Sequence, residues 1–248
     1  MFKAKMKNCE TLRDSIATIS EFIDEAELQI KEKGLEMVAA DRAVVVVVDF
    51  ALYRNAFDEY SLDTDRKVGI NIQNLLQILR RATPDDSMAM RLEDNKLHVT
   101  FEGESTRHFV IPLIDISKDE PPPLDKLQFS AFFRMNSDIL GNGIEDAELV
   151  TDSVIFTVRK DMLLMKAESD SSMMQLELPS GSEVLRITDI SEPVRARYSL
   201  DYLKKISKAK KLSPEAEMAM ATDYPMRLEF NIPDKMRLGF ILAPRVEE

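Results

Sequence analysis

The chain has 248 residues, a hydrophobic fraction of 44% and a formal net charge of −11. That length suits one large domain or two ordinary ones with their own cores, and no apolar run approaches the ~18–20 residues of a membrane helix. A single cysteine, Cys9, excludes an internal disulfide, and the basic N-terminus lacks the apolar run of a signal peptide, so a cytoplasmic protein is expected.

The first predicted element is a helix in 10–23, where Leu12, Ile16, Ile19 and Ile23 recur at helical spacing. Five consecutive valines, Val44 to Val48, leave no polar face and predict a strand covered on both sides. A second helix follows around residue 76, with Ile72, Leu75, Leu76 and Leu79 on one face and Arg80 and Arg81 at its end. The runs "KLHVTF" (96–101) and "RHFVIPLI" (107–114) read as strands. In "SKDEPPPLDK" (117–126) three prolines fix φ and remove donors, so this stretch reads as a semi-rigid acidic connector.

Beyond the connector, "MNSDILGNGIEDAEL" (135–149) suggests a third helix, but Gly141 and Gly143 each cost about 1 kcal/mol against alanine. It is expected to be short, and without Lys or Arg it is expected to attract phosphate weakly. "VIFTV" (154–158) and "MQLEL" (174–178) are strand-like. The last helix, "YSLDYLKKISKAKKL" (198–212), sets five lysines against one acid, and strands "MRLEF" (226–230) and "RLGFIL" (237–242) close the chain.

Much of this pattern occurs twice. "FIDEAEL" (22–28) returns as "GIEDAEL" (143–149), and at a shift of 128 Leu35, Met37 and Ala39 fall on Leu163, Met165 and Ala167. The same shift lays Ile72, Leu75 and Ile78 on Leu200, Leu203 and Ile206; "SMAM" (87–90) matches "EMAM" (217–220), and "LHVTF" (97–101) matches "MRLEF". A register kept over so much chain indicates a duplicated domain. Each copy would hold two helices and several antiparallel strands, an α+β fold. The expected boundaries are 1–117, a connector over 118–127, and 128–248.

In this frame the sequence resembles the DNA sliding clamps of the archaeal and eukaryotic type, the proliferating cell nuclear antigen family. The resemblance covers the whole chain and rests on "ILAPRVEE" (241–248), "DYPMRLEF" (223–230), "GINIQNLLQIL" (69–79) and "TRHFVIPLID" (106–115). It implies two clamp domains per protomer and three protomers closed head-to-tail, with helices lining the hole and strands forming the wall. It also implies a processivity factor that encircles double-stranded DNA without sequence preference. Clamp loader, DNA polymerase, flap endonuclease and DNA ligase would dock through short peptide motifs. The location implied is cytoplasmic and nucleoid-associated, with no membrane contact.

Read alone, the lysine-rich helix is a solvated face. The resemblance instead implies DNA contact for Arg13, Arg80, Arg81, Lys204, Lys205, Lys208, Lys210 and Lys211, although Lys210 and Lys211 could serve the helix terminus. Carried over by position, the partner-peptide pocket is Ala40, Val44, Val45, Val47, Leu124, Pro225, Ile241, Ala243, Pro244 and Val246. Core packing is the other reading of Val45 and Val47. The strands at 107–114 and 173–178 are expected to pair between protomers.

An enzyme is the rival class, but His98 and His108 lack metal-ligand or triad spacing, and "GNG" (141–143) lacks the third glycine of a dinucleotide loop. No enzymatic activity, cofactor or metal is expected. Other readings are one subunit of a hetero-trimeric clamp, or a clamp-like scaffold that does not encircle DNA.

Overall fold

The computed structural model describes residues 1–116 and 123–245. The chain runs through four strand-rich quarters, each with one helix. The first holds β1 (Phe2–Met6), α1 (Glu10–Ile19), β2 (Glu25–Lys31), β3 (Gly34–Ala40) and β4 (Val46–Tyr53). The second holds β5 (Glu59–Leu62), β6 (Arg66–Asn71), α2 (Ile72–Leu79), β7 (Ser87–Glu93), β8 (Lys96–Glu102) and β9 (Thr106–Pro112). The third holds β10 (Ala131–Asn136), α3 (Ser137–Glu148), β11 (Ser153–Val158), β12 (Met162–Glu168) and β13 (Met173–Pro179). The fourth holds β14 (Leu185–Ile190), β15 (Val194–Ser199), α4 (Leu200–Ser207), β16 (Glu215–Met220), β17 (Met226–Ile232) and β18 (Met236–Leu242).

The first half of the chain orders its strands β5-β1-β7-β8-β9 and β4-β3-β2-β6; the second orders them β14-β10-β16-β17-β18 and β13-β12-β11-β15. Adding nine to each strand number of the first half gives the second. β18 and β4 are themselves hydrogen-bonded neighbours. Two compact units result. One takes Met1–Arg42, the residues from Val48 up to the connector, and Ile232–Leu238; the other takes Ala43–Val47, the residues from the connector to Asn231, and those from Gly239 on. Both strands are thus shared: Tyr53 N donates to Lys235 O (2.8 Å) in the first unit, and Ala243 N to Val45 O (2.9 Å) in the second.

The matched sequence positions fall on equivalent elements. Leu35 and Leu163 lie in β3 and β12, "SMAM" and "EMAM" in β7 and β16, and the two helical triplets begin α2 and α4. The "FIDEAEL" and "GIEDAEL" pair does not follow this plan. The first straddles the turn into β2, whereas the second forms the C-terminal half of α3 and its cap residue Leu149. Two acids beside an alanine suit both a strand entry and an exposed helix end, so that likeness has no structural counterpart.

Each unit buries a helix pair against its strands. In the first, Leu12, Ile16 and Ile19 of α1 and Ile72, Leu75, Leu76 and Leu79 of α2 are buried, and the two helices touch. In the second, Leu140, Ile144 and Ala147 of α3 face the core with Leu200, Leu203 and Ile206 of α4. Asparagines start two of the helices. Asn71 accepts from Asn74 N (2.8 Å), and Asn136 accepts from Asp138 N and Ile139 N (3.0 Å each), satisfying donors that a helix start leaves unpaired.

Four expectations are corrected. The first helix ends at Ile19, and Ile23 is buried from the turn after it. The valine strand starts at Val46: Val44 has φ +55° and is 59% exposed, so only Val46, Val47 and Val48 are covered on both sides. The last helix starts at Leu200, with Tyr198 buried in β15, and continues past Ser207 as a 3-10 turn, Lys208–Lys211. Most plainly, α3 is not short. It has 12 residues and is the longest described helix.

Its glycines are where neighbours come close. A Cβ on Gly143 would lie 2.9 Å from Leu176 Cδ2, and one on Gly141 would lie 3.1 Å from the Lys210 side chain. The packing that this closeness permits offsets the helix-propensity cost.

Strand β9 is tied to the end of α2 by a buried carboxylate. Asp86, 4% exposed, accepts from Thr83 N (2.6 Å), from Thr83 Oγ1 (2.9 Å) and from Arg107 of β9. Arg107 also donates to Arg81 O (2.7 Å) and lies 5.5 Å from the Phe101 ring centre. The Thr83 bonds, followed by Arg107, hold the Asp86 carboxyl below its usual range. A depressed folded-state pKa stabilises at pH values above the unfolded value of about 4 and is lost as pH falls through the folded value. Asp86→Asn should therefore lower the urea midpoint at pH 7, and the gap to the wild-type chain should narrow below about pH 4. In β3, Gly34 has φ +135°, and a Cβ there would sit 2.1 Å from Leu52 O. Gly34→Ala should cost more than about 1 kcal/mol in the same denaturation assay.

Candidate DNA-facing and partner-facing surfaces

The basic residues divide between the units. In the first, α1 offers Arg13, half-buried and held by Asp14 (2.9 Å) and Glu10 (3.9 Å). The Asp14 bond pushes its pKa up. Arg80 caps the C-terminus of α2, with Arg81 next to it. Both are exposed, and among the described residues neither guanidinium has a carboxylate within ion-pair distance.

In the second unit the lysines cluster on α4 and its 3-10 extension, beside α3. Lys204 Nζ lies 2.8 Å from Glu148 of α3, and Lys205 Nζ lies 2.9 Å from Asp201 and 5.7 Å from the Tyr202 ring centre. The Glu148 bond raises the Lys204 pKa. Lys210, half-buried, lies against Gly141 with its ammonium 4.0 Å from Asp138 and 3.9 Å from Glu145. Lys208 and Lys211 are exposed. The sequence reading recognised that α3 lacks basic residues. It did not reveal that the acids of α3 are the partners of these lysines, because that pairing exists only once the helices are side by side.

The apolar candidates separate by burial. Val47 (5% exposed) and Ile241 (9%) are core residues. Val45, Leu124, Pro225, Ala243 and Pro244 are half-buried, and Val44 stands out at 59%. The hydrogen bond from Ala243 N to Val45 O brings the C-terminal segment beside the valine turn. Ala40 ends β3 in the first unit, half-buried. Val246 lies outside the described residues.

Two aromatics absent from the sequence-based set join this surface. Phe129 meets Tyr224, the neighbour of Pro225, at 6.2 Å, and Arg227 lies 4.9 Å from the Phe129 ring centre. Tyr224 O in turn accepts from the buried Tyr198 hydroxyl (2.8 Å), whose pKa burial drives upward. An apolar ring soon after a Pro-rich acidic stretch was the available signal for Phe129. Further along, Arg245 N donates to Arg197 O and its guanidinium pairs with Asp152, both at 2.7 Å. The Arg245 bond lowers the Asp152 pKa.

Elsewhere, His98 lies in β8 and His108 in β9, where its Nδ1 is 3.0 Å from Thr100 Oγ1. Among the described residues no three His, Cys, Asp or Glu side chains are placed to hold a metal ion, and no helix is long and apolar enough to cross a membrane.

The family description "Proliferating cell nuclear antigen, N-terminal domain" matches residues 1–120, and the corresponding C-terminal domain matches 123–245. Proteins named "DNA polymerase sliding clamp" from Thermococcus gammatolerans and Pyrococcus furiosus are 34% and 32% identical over 248 residues, covering 100% of this chain and 99% of theirs. A crystal structure of PCNA from Thermococcus kodakaraensis superposes with a TM-score of 0.90 at 26% identity, covering 99% of this chain and 100% of that one. Two repeated strand-and-helix units with their helices paired, matched by family, relatives and structure over essentially the full length, define one class: the chain belongs to the proliferating cell nuclear antigen family of DNA sliding clamps.

The Asp152 contact should anchor the C-terminal segment. Asp152→Asn is expected to speed hydrogen exchange at the Arg245 amide several-fold, with the amides of β11 unchanged.

Proposed function

We propose that three copies of the chain close head-to-tail around duplex DNA and work as a DNA polymerase sliding clamp, a processivity factor with no chemistry of its own. The observation that carries the ring is the strand plan. β18 and β4 are paired within the chain; their counterparts nine positions earlier and later, β9 and β13, are sheet edges. Each edge carries an exposed apolar residue, Val110 at 50% and Met173 at 59%. Pairing β9 of one copy with β13 of the next repeats between molecules what β18 and β4 do within one. A contact between two different surfaces closes into a ring when the rotation permits.

Duplex DNA passes the helices, and its phosphates meet Arg80, Arg81 and the lysines of α4 and its extension, with Arg13 contributing from α1. Exposed, salt-screened phosphate contacts hold without reading sequence, which sliding requires. Clamp loader, DNA polymerase, flap endonuclease and DNA ligase dock by short peptides at Val44, Val45, Leu124, Pro225, Ala243 and Pro244, with Val47 and Ile241 as the floor. An aromatic side chain buries some 150–250 Å², worth a few kcal/mol at about 25 cal/mol per Å², and association entropy consumes much of it. Exchangeable micromolar binding follows, so several enzymes can take turns. The work is located at the chromosome.

The test is assembly and docking measured separately. Light scattering should give three times the 28.3 kDa of one chain, and Val110→Glu on β9 should reduce the mass to one copy. Val44→Glu should keep the trimer mass yet weaken a peptide carrying one aliphatic and two aromatic anchors at least tenfold by calorimetry. A wild-type chain that stays monomeric at micromolar concentration, alone and after DNA loading, would overturn the ring.

A further inference from the structure

The acids in the last turn of α3 serve nothing within their own helix. Glu145, Asp146 and Glu148 stand in its last turn, where no basic residue accompanies them and where the negative end of the helix dipole disfavours carboxylates. What they meet is the neighbouring lysine face. Glu148 Oε1 is 2.8 Å from Lys204 Nζ, and Glu145 and Asp138 stand on either side of the Lys210 ammonium at 3.9 and 4.0 Å. Lys210 reaches that position because Gly141 has no Cβ: its side chain lies across the glycine at 3.1 Å from where a Cβ would be. Arg80 and Arg81 of α2 have no such partners among the described residues. Four acids on α3 and Asp201 on α4 thus stand against five lysines, so this helix pair is close to neutral while the end of α2 is positive.

We propose that Glu148, supported by Asp138 and Glu145, is a built-in competitor for DNA phosphate at Lys204 and Lys210, which keeps the second unit's hold on the duplex loose. This rests on the reading that DNA passes α4. A phosphate that takes Lys204 competes with Glu148 for the same ammonium. The pair is about half exposed on both sides, so the exchange is fast and cheap. The grip is then strongest at Arg80 and Arg81 and weak at α4, and a ring held tightly at few points per protomer slides with little drag.

The experiment follows the one-dimensional diffusion of loaded rings on stretched duplex, at about 50 mM and about 500 mM salt. Glu148→Gln keeps shape and removes the charge, and should slow diffusion roughly two- to fivefold at the lower salt, the difference vanishing at the higher. Lys204→Gln should diffuse at least as fast as the wild-type ring, and adding Glu148→Gln to it should change nothing further. Asp138→Asn with Glu145→Gln should slow diffusion by releasing Lys210. If Glu148→Gln diffuses like wild type while Lys204→Gln is faster, the competition is overturned and the DNA reading stands. If neither differs from wild type, α4 does not meet DNA and that reading fails at this helix. An effect of Glu148→Gln that persists with Lys204→Gln would mean repulsion acting directly on DNA, and would also overturn the competition. Both sites are exposed, so thermal midpoints should match wild type and exclude misfolding.

Discussion

Backbone hydrogen bonding at sheet edges is the constraint on which this architecture depends. A terminal strand presents a row of donors and acceptors that must be paired, covered or protected. The chain meets that demand once internally, where β4 lies beside β18. The duplicated plan presents an equivalent pair of edges at β9 and β13. In the proposed ring, closure among copies would use the same chemistry that holds one copy together, which is why the repeat bears on assembly and not on ancestry alone. The buried Asp86–Arg107 contact belongs to this theme. It fixes the edge strand β9 to the turn after α2, so the strand available for pairing and Arg81 share one anchor.

Charge is organised on a second level. The chain is strongly acidic overall, yet clusters of cations stand at the end of α2 and along α4 and its 3-10 extension. Net charge therefore says little about what a particular face can bind. The structure adds that a lysine's availability depends on the neighbouring helix. Arg13 and Lys210 are half-buried among carboxylates, Lys204 and Lys205 are paired at hydrogen-bond distance, and the arginines of α2 and Lys211 stand exposed without an ion pair among the described residues.

The α+β layout, the two-fold internal repeat and the buried faces of α1, α2 and α4 were legible in the sequence, because apolar spacing at Leu12, Ile72 or Leu200 is enforced by burial and survives any local context. Boundaries were less legible. Val44 reads as a strand residue by type, but a left-handed turn takes it out of the strand and exposes it. Gly141 and Gly143 read as helix breakers by propensity, but they are the positions at which α3 meets Lys210, Leu176 and Met165. Pairings between distant residues, such as Glu148 with Lys204 or Phe129 with Tyr224, have no periodic signature at all and emerge only from packing. The fold was readable from one-dimensional spacing, and the surfaces required three dimensions.

The two edges proposed to join are unlike: β9 ends a sheet that begins with β5, and β13 ends one that finishes with β15. A joint made of two different strands has no internal two-fold, so every copy in such a ring must point the same way round. The annulus then has a front and a back. In the proposed ring, whatever one copy presents beside its C-terminal segment, all copies would present on the same side, and a machine docked there would acquire a sense of direction along the duplex from strand order alone.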